Sequence, residues 1–309
     1  MQTVLISGGT GLIGRHLSAM LVKKGYEVII LTRDTARHKP GNNISYVGWD
    51  VNQEQIDVAA IQRADYIIHL AGEGVVDKKW TEARKQEIVD SRTKSSQLIV
   101  KALRDNENHV KAVISSSAIG WYGADTAESK KQGFVEAAPP SPEYLGETCR
   151  LWEESIEPVT ALGKRLVKLR TGIVLSNDGG AFVEFKKTLP LGIASIMGSG
   201  EQIVSWIHIE DICRMYCYAL ENEQLHGVYN AVAPTPVTNK QLMLSIATAI
   251  KGKAFIPIHV PVFVLRLMLG GRSIEVLKST TVSAAKIKQA GFQFLYPSID
   301  AALTELGKK

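Results

Sequence analysis

The chain has 309 residues, 45% of them hydrophobic and 22% charged, with a formal net charge of +5. That balance describes a soluble globular protein large enough for one major domain and a smaller lobe, and it excludes a disordered, collagenous or disulfide-framed chain. The lysines and arginines are dispersed, which suits an acidic small molecule rather than nucleic acid, and the longest apolar stretch, 256–269, holds Pro257, His259, Pro261 and Arg266, so no membrane span is expected.

In chain order, apolar runs of strand length alternate with stretches of helical periodicity. Strands are expected at 4–7, 28–32, 66–70 and 112–116, with helices at 12–24 and 84–103. Runs such as V-L-I-S and E-V-I-I-L lack polar alternation, so they fit parallel strands buried on both faces, with helices covering each side. The fold class is therefore α/β: a Rossmann-like doubly wound parallel sheet with a smaller C-terminal substrate lobe. A helix at 143–162 leads to a strand at 166–169, and 228–231 supplies the last strand. Residues 1–171, completed by about 201–233, form the nucleotide-binding domain on this division. The stretches 172–200 and 234–309, interrupted by glycine and proline, form the lobe, with a cleft for a small-molecule substrate between them. The chain opens directly on a strand and a glycine loop, which predicts a cytoplasmic location. Cys149, Cys213 and Cys217 read as reduced packing residues; Cys213 and Cys217 stand four apart on a helix, but no further ligands lie in sequence range, so no metal is expected.

Residues 5–14 read L-I-S-G-G-T-G-L-I-G and place Gly8, Gly11 and Gly14 between the first strand and the first helix. Glycine permits the tight turn and lets backbone approach a pyrophosphate, whose charge meets the free amides of a helix N-terminus. Thr10, Leu12 and Ile13 are expected to line that contact. An NAD site usually carries an acidic residue at the end of the second strand; Thr32 and Arg33 stand there instead, which favours the 2′-phosphate of NADP, with Arg37 and Lys39 nearby. Adjacent Asp34 is the alternative, serving a ribose hydroxyl as in an NAD site. After the strand at 66–70, the small residues of Leu70-Ala71-Gly72 leave room for a cofactor, and His69 reads as buried structure. On the next helix, Arg92 together with Glu87 either reaches cofactor or substrate or forms a surface ion pair.

The glycine loop, H-L-A-G-E at 69–73, S-S-S-A-I-G-W-Y-G at 115–123 and S-W-I-H-I-E-D at 205–211 together resemble the NAD-dependent epimerase/dehydratase family, extended short-chain dehydrogenases/reductases. More narrowly, C-R-L-W-E at 149–153, R-T-G-I-V-L at 170–175 and the tail A-G-F-Q-F-L-Y-P-S-I-D-A-A-L resemble the atypical subgroup of epimerase family proteins, whose C-terminal domain of unknown function corresponds to 257–306. The resemblance spans nearly the whole chain. It implies a bound NADP, a cleft suited to a nucleotide sugar or similar compound, and a homodimer paired through the helices at 84–103 and 143–162.

Catalysis in that superfamily uses a Ser or Thr, a Tyr acid/base and a Lys four residues later, whose charge lowers the tyrosine pKa. Ser117 fits the serine role, with Ser116 as the alternative. Tyr144 opens the next helix in Y-L-G-E-T-C-R, where no lysine follows. Arg150 offers charge two residues beyond the expected position but cannot relay a proton, and Tyr122 is the other candidate phenol. Val174 falls where such folds pack backbone against the nicotinamide, and Arg170 anchors that strand. Trp206, His208 and Asp211 cluster at a helix start, with Asp211 as the expected cap. The missing lysine leaves two readings, an NADP-dependent oxidoreductase or epimerase-like enzyme, and an NADP-binding sensor or regulatory protein with altered catalysis.

Overall fold

The computed structural model describes residues 1–307. One eight-stranded sheet forms its centre. Its strands are β1 (Thr3–Ser7), β2 (Glu27–Thr32), β3 (Ile44–Asp50), β4 (Gln55–Ile56), β5 (Tyr66–His69), β6 (Ala112–Ala118), β7 (Arg165–Thr171) and β12 (Gly227–Ala231), in the order β12-β7-β6-β5-β1-β2-β3-β4. Every pairing is parallel except β4 on β3. The doubly wound architecture expected from the apolar runs is the one observed. β1 is buried at all five positions, which explains why its sequence shows no alternation.

Helices cover both faces. Helix α1 (Leu12–Lys23) packs with α7 (Ile209–Glu221) on one side, and α2 (Val58–Arg63), α3 (Glu82–Asp105) and α5 (Tyr144–Ile156) lie on the other. The Thr81 hydroxyl caps α3 by accepting from the Arg84 amide at 3.1 Å. The helix expected at 143–162 is shorter: α5 ends at Ile156 and continues as a 3₁₀ turn at Glu157–Leu162, because Pro158 has no N–H for the α-helical ladder. β3 has no position among the strands expected from the sequence. It is an outer, half-buried strand whose S-Y-V-G-W-D sequence carries a weak apolar signal.

Outside the central sheet lie three two-stranded pairings: β8 (Ile173–Leu175) with β11 (Trp206–His208), β9 (Ile193–Met197) with β14 (Ile256–Val260), and β10 (Ile203–Val204) with β13 (Val237–Thr238), so β10 and β11 of the 201–233 stretch pair with strands outside the eight-stranded sheet. A separate apolar core joins Phe182 of α6 (Ala181–Lys186), Leu242 and Ile246 of α8 (Asn239–Lys251) and Leu303 of α12 (Ile299–Leu306). Short helices α9 (Val262–Leu269), α10 (Ser273–Leu277) and α11 (Ala285–Gln289) fill the C-terminal segment, and α4 (Ser129–Gln132) precedes α5. Among the described residues no helix is long and apolar enough to cross a membrane.

Candidate functional site

Strand order reverses between β1 and β5, opening a crevice at the carboxyl edge of the sheet. The glycine loop sits there. Gly8 has φ +71°, and a Cβ on it would stand 2.8 Å from the Leu70 carbonyl carbon, so the loop backbone rests directly on the 70–71 backbone. A Cβ on Gly14 would come within 2.4 Å of the Gly8 oxygen. Gly11 donates to the Gly8 carbonyl at 3.0 Å and caps α1 without a side chain, and no acidic residue occupies the first turn. The first amides of α1, at Leu12 and Ile13, thus meet no capping side chain and no acidic residue of the first turn. Thr10 is half-buried beside them, its carbonyl accepting from Arg15. Leu12 packs on Gly180, and His16 pairs with Asp178 at 2.8 Å, so the loop after β8 leans across the front of α1. Val174 of β8, paired in register with Ile207, is half-buried behind that loop.

At the end of β2, Thr32 is buried and its hydroxyl accepts from the Asp34 amide at 3.3 Å. Asp34 is occupied: its carboxylate accepts from the Ala36 amide at 3.1 Å and pairs with Arg37 at 2.8 Å. Arg33 is 83% exposed, and its nearest carboxylate, on Glu73, is 3.7 Å away. The residue that suits a 2′-phosphate is therefore open to a ligand, whereas the one that would suit a ribose hydroxyl is engaged. This donor set fits NADP.

Past β5, His69 is fully buried, bonded to the Ser7 hydroxyl at 2.6 Å and the Ser96 hydroxyl at 3.1 Å, and burial pushes its pKa down to about 3. Leu70, Ala71 and Gly72 follow as irregular backbone at the crevice. Glu87 does not pair with Arg92 as the sequence spacing allowed. It takes Arg84 at 2.6 Å, and Arg84 also reaches Glu73 at 3.3 Å and the Gly74 carbonyl at 2.8 Å. Arg84 and Glu87 stand one turn apart on α3, and the 73–74 loop folds back onto Arg84 to complete the ion cluster. Arg92 is buried separately, under Gly72.

Ser117 and Tyr144 are not hydrogen-bonded to each other. Ser117 is buried and donates to Glu153 Oε1 at 2.7 Å, and Glu153 in turn accepts from Arg170 at 2.8 and 3.1 Å. Arg170 also donates to the Tyr122 hydroxyl at 3.1 Å and lies 3.6 Å from the Trp121 ring centre. Tyr122 completes the chain by donating to Asn230 at 2.6 Å, and burial pushes its pKa up to about 12. Tyr122 is thus spent on structure, and Arg170 anchors β7 as expected. Ser116, one residue away and facing the other side of the sheet, bonds the Tyr216 hydroxyl at 2.8 Å. Tyr144 donates to the Lys85 carbonyl at 3.0 Å, and burial raises its pKa. Thr148 occupies the position four residues on and donates to the Tyr144 carbonyl at 2.7 Å. Arg150 is no substitute for the lysine: it is held by Glu147 and Glu154 on the exposed side of α5.

Asp211 does not cap α7. The His208 ring does, accepting from the Glu210 amide at 3.1 Å, while Asp211 is fully buried and accepts from the Leu295 and Tyr296 amides at 2.9 Å each and pairs with Arg214. His208 Nε2 lies 3.1 Å from Glu305, and burial lowers the pKa of its ring. The S-W-I-H-I-E-D motif thus ties the C-terminal tail to the sheet domain. Sequence reasoning missed Glu153, because a carboxylate inside an amphipathic helix reads as surface unless its buried cation is known. The three cysteines are buried and free, and no cluster of metal-ligating side chains exists among the described residues.

Residues 4–145 match the NAD dependent epimerase/dehydratase family, and residues 260–306 match a domain of unknown function, DUF1731. Epimerase family protein YfhF of Bacillus subtilis (strain 168) is 33% identical over 313 residues, covering 99% of this chain and 98% of that protein. The chain belongs to this epimerase family. Among solved structures, human epimerase family protein SDR39U1 with NADPH superposes with a TM-score of 0.85 at 28% identity, covering 99% of both chains. A nucleoside-diphosphate sugar epimerase from Corynebacterium glutamicum has a TM-score of 0.77 at 29% identity, covering 99% of this chain and 58% of the other. In this epimerase family member the tail predicted as family-specific, 257–306, contains the second matched segment, 260–306.

Proposed function

We propose that this protein binds NADP(H) at the carboxyl edge of its sheet and acts as an oxidoreductase of the epimerase/dehydratase kind on a small polar substrate, a nucleotide sugar or similar compound, held between sheet domain and lobe. The carrying observation is the contrast at the end of β2: Arg33 is open while Asp34 is engaged by Arg37 and the Ala36 amide. The NADPH in the human relative supports the same choice. Bound nicotinamide supplies hydride transfer. Gly8, Gly11 and Gly14 bring backbone against the pyrophosphate, and the Leu12 and Ile13 amides neutralise its charge. Thr32 and Arg33 hold the 2′-phosphate, Leu70, Ala71 and Gly72 flank the cofactor, and Val174 closes the nicotinamide side.

The lysine-free helix start favours a second reading, a cofactor-binding sensor with altered catalysis. Its support is specific: both hydroxyls of the expected catalytic pair are taken by other groups, Ser117 by Glu153 and Tyr144 by the Lys85 carbonyl. Oxidation of NADPH by any member of a carbonyl library decides for the enzyme. Cofactor choice is tested by Arg33→Asp, which is expected to weaken NADPH by roughly tenfold or more while leaving NADH within about threefold. Equal loss for both cofactors would contradict the 2′-phosphate assignment.

A further inference from the structure

The two other buried arginines and the half-buried Arg165 have their charge or their donors satisfied by the fold. Arg170 holds Glu153, Arg84 holds Glu73 and Glu87, and Arg165 donates to the carbonyls of Ala219, Leu220 and Leu225. Arg92 differs. It is 9% exposed, forms no ion pair among the described residues, and donates only through Nη1, to the Ile88 carbonyl of its own helix at 3.0 Å. Most of its N–H donors therefore have no protein acceptor. Its guanidinium stacks 4.9 Å from the Trp152 ring centre, and the Trp152 indole N–H is itself buried without an acceptor. An unpaired buried cation opposes folding, so a site that retains one is suited to an anion that arrives with the ligand.

The surroundings are those of the crevice. A Cβ at Gly72 would stand 3.2 Å from Arg92 Cζ, so glycine there lets the 72 backbone lie close over the guanidinium without a side chain between them, and the glycine loop contacts the same segment through Leu70 and Ala71. Tyr144, Thr148 and Trp152, four apart on α5, share the helix face that carries the stacking ring. We propose that Arg92 is a ligand-binding residue whose guanidinium takes an anionic oxygen, carboxylate or phosphate, of the molecule seated between the 70–72 segment and α5. This rests on the crevice being the ligand site of the proposed function.

The test compares wild type, Arg92→Met and Arg92→Lys by calorimetric titration with NADPH, and of the NADPH-mixed protein with inorganic phosphate and with malonate. Arg92→Met is expected to lose at least about tenfold in affinity for one of these probes, with partial recovery in Arg92→Lys, which keeps the charge but not the planar fork. Loss for NADPH assigns the oxygen to the cofactor; loss confined to phosphate or malonate assigns it to the substrate. Wild type that takes phosphate or malonate but not NADPH, with that binding lost in the variant, keeps the Arg92 site and removes the NADP reading. If Arg92→Met does not fold, Arg92→Lys decides on the same affinities. Folded variants that melt lower but bind all three probes within about twofold of wild type, or wild type that binds none of them, overturn the proposal.

Discussion

Replacing Glu153 by Gln removes one charge from the buried pair that joins β6, β7 and α5 while keeping its shape. Both partners are nearly inaccessible, Glu153 at 5% and Arg170 at 2%, and the pairing is two-pronged at 2.8 and 3.1 Å. Breaking such a pair from one side costs about 3–5 kcal/mol, because the remaining charge stays buried. The glutamine oxygen still accepts from Ser117 or Arg170, recovering about 1 kcal/mol, so the net loss is roughly 2–4 kcal/mol. Lys168, 3.9 Å from Glu153, keeps Glu157 at 2.5 Å and adds little to the loss. Urea unfolding of the two proteins measures the difference through the midpoint at constant slope. Arg170→Met and the double variant complete a cycle, in which the double variant is expected to be more stable than the sum of the single losses. A loss below about 1 kcal/mol in Glu153→Gln, or strict additivity, would refute the structural role given to this pair and return Ser117 to the candidates for chemistry.

Gly14→Ala is expected to abolish measurable NADPH binding in a protein that otherwise folds, since its Cβ meets the Gly8 oxygen at 2.4 Å and must displace the loop; titration beside circular dichroism checks both halves. His69 is neutral in the fold and titrates at about 3, so the unfolded chain binds one more proton between about pH 6.5 and 3. Stability from this group is present above that window and falls by about 1.4 kcal/mol per unit as pH drops through it. His69→Gln should lose less between pH 6.5 and 4.5 than wild type by urea unfolding, and equal pH slopes would contradict the burial assignment. Asp211→Ala frees the Leu295 and Tyr296 amides and leaves the tail poorly docked, costing about 2 kcal/mol and raising hydrogen exchange at 292–306 before the sheet exchanges. Tyr144→Phe loses only the bond to the Lys85 carbonyl and should change NADPH affinity by less than about twofold, measured by the same titration.

The sheet was legible because strands buried on both faces must be written as unbroken apolar runs, and V-L-I-S and E-V-I-I-L are such runs. Outer β3 was not, since a half-buried strand with Gly48 inside it looks like loop. The glycine loop was readable for a stereochemical reason: Gly8 needs a positive φ and Gly14 has no room for a side chain. Hydroxyl and charge partners were harder. Whether Ser117 faces a ligand or Glu153, and whether Glu87 takes Arg84 or Arg92, depends on how α3, α5 and the 73–74 loop meet, which no local spacing encodes. Asp211 illustrates the same point: helix-start position suggested a cap, but its carboxylate is used by amides more than eighty residues away.

The most direct measurement is calorimetric titration of the purified protein with NADPH and with NADH, after mass spectrometry has shown whether a nucleotide came with it. Tighter binding of NADPH by at least about tenfold is the predicted result, because only its 2′-phosphate has a use for the open Arg33. Equal affinity for the two would contradict the reading of β2's end, and no binding of either would leave the glycine loop a structural turn without a cofactor.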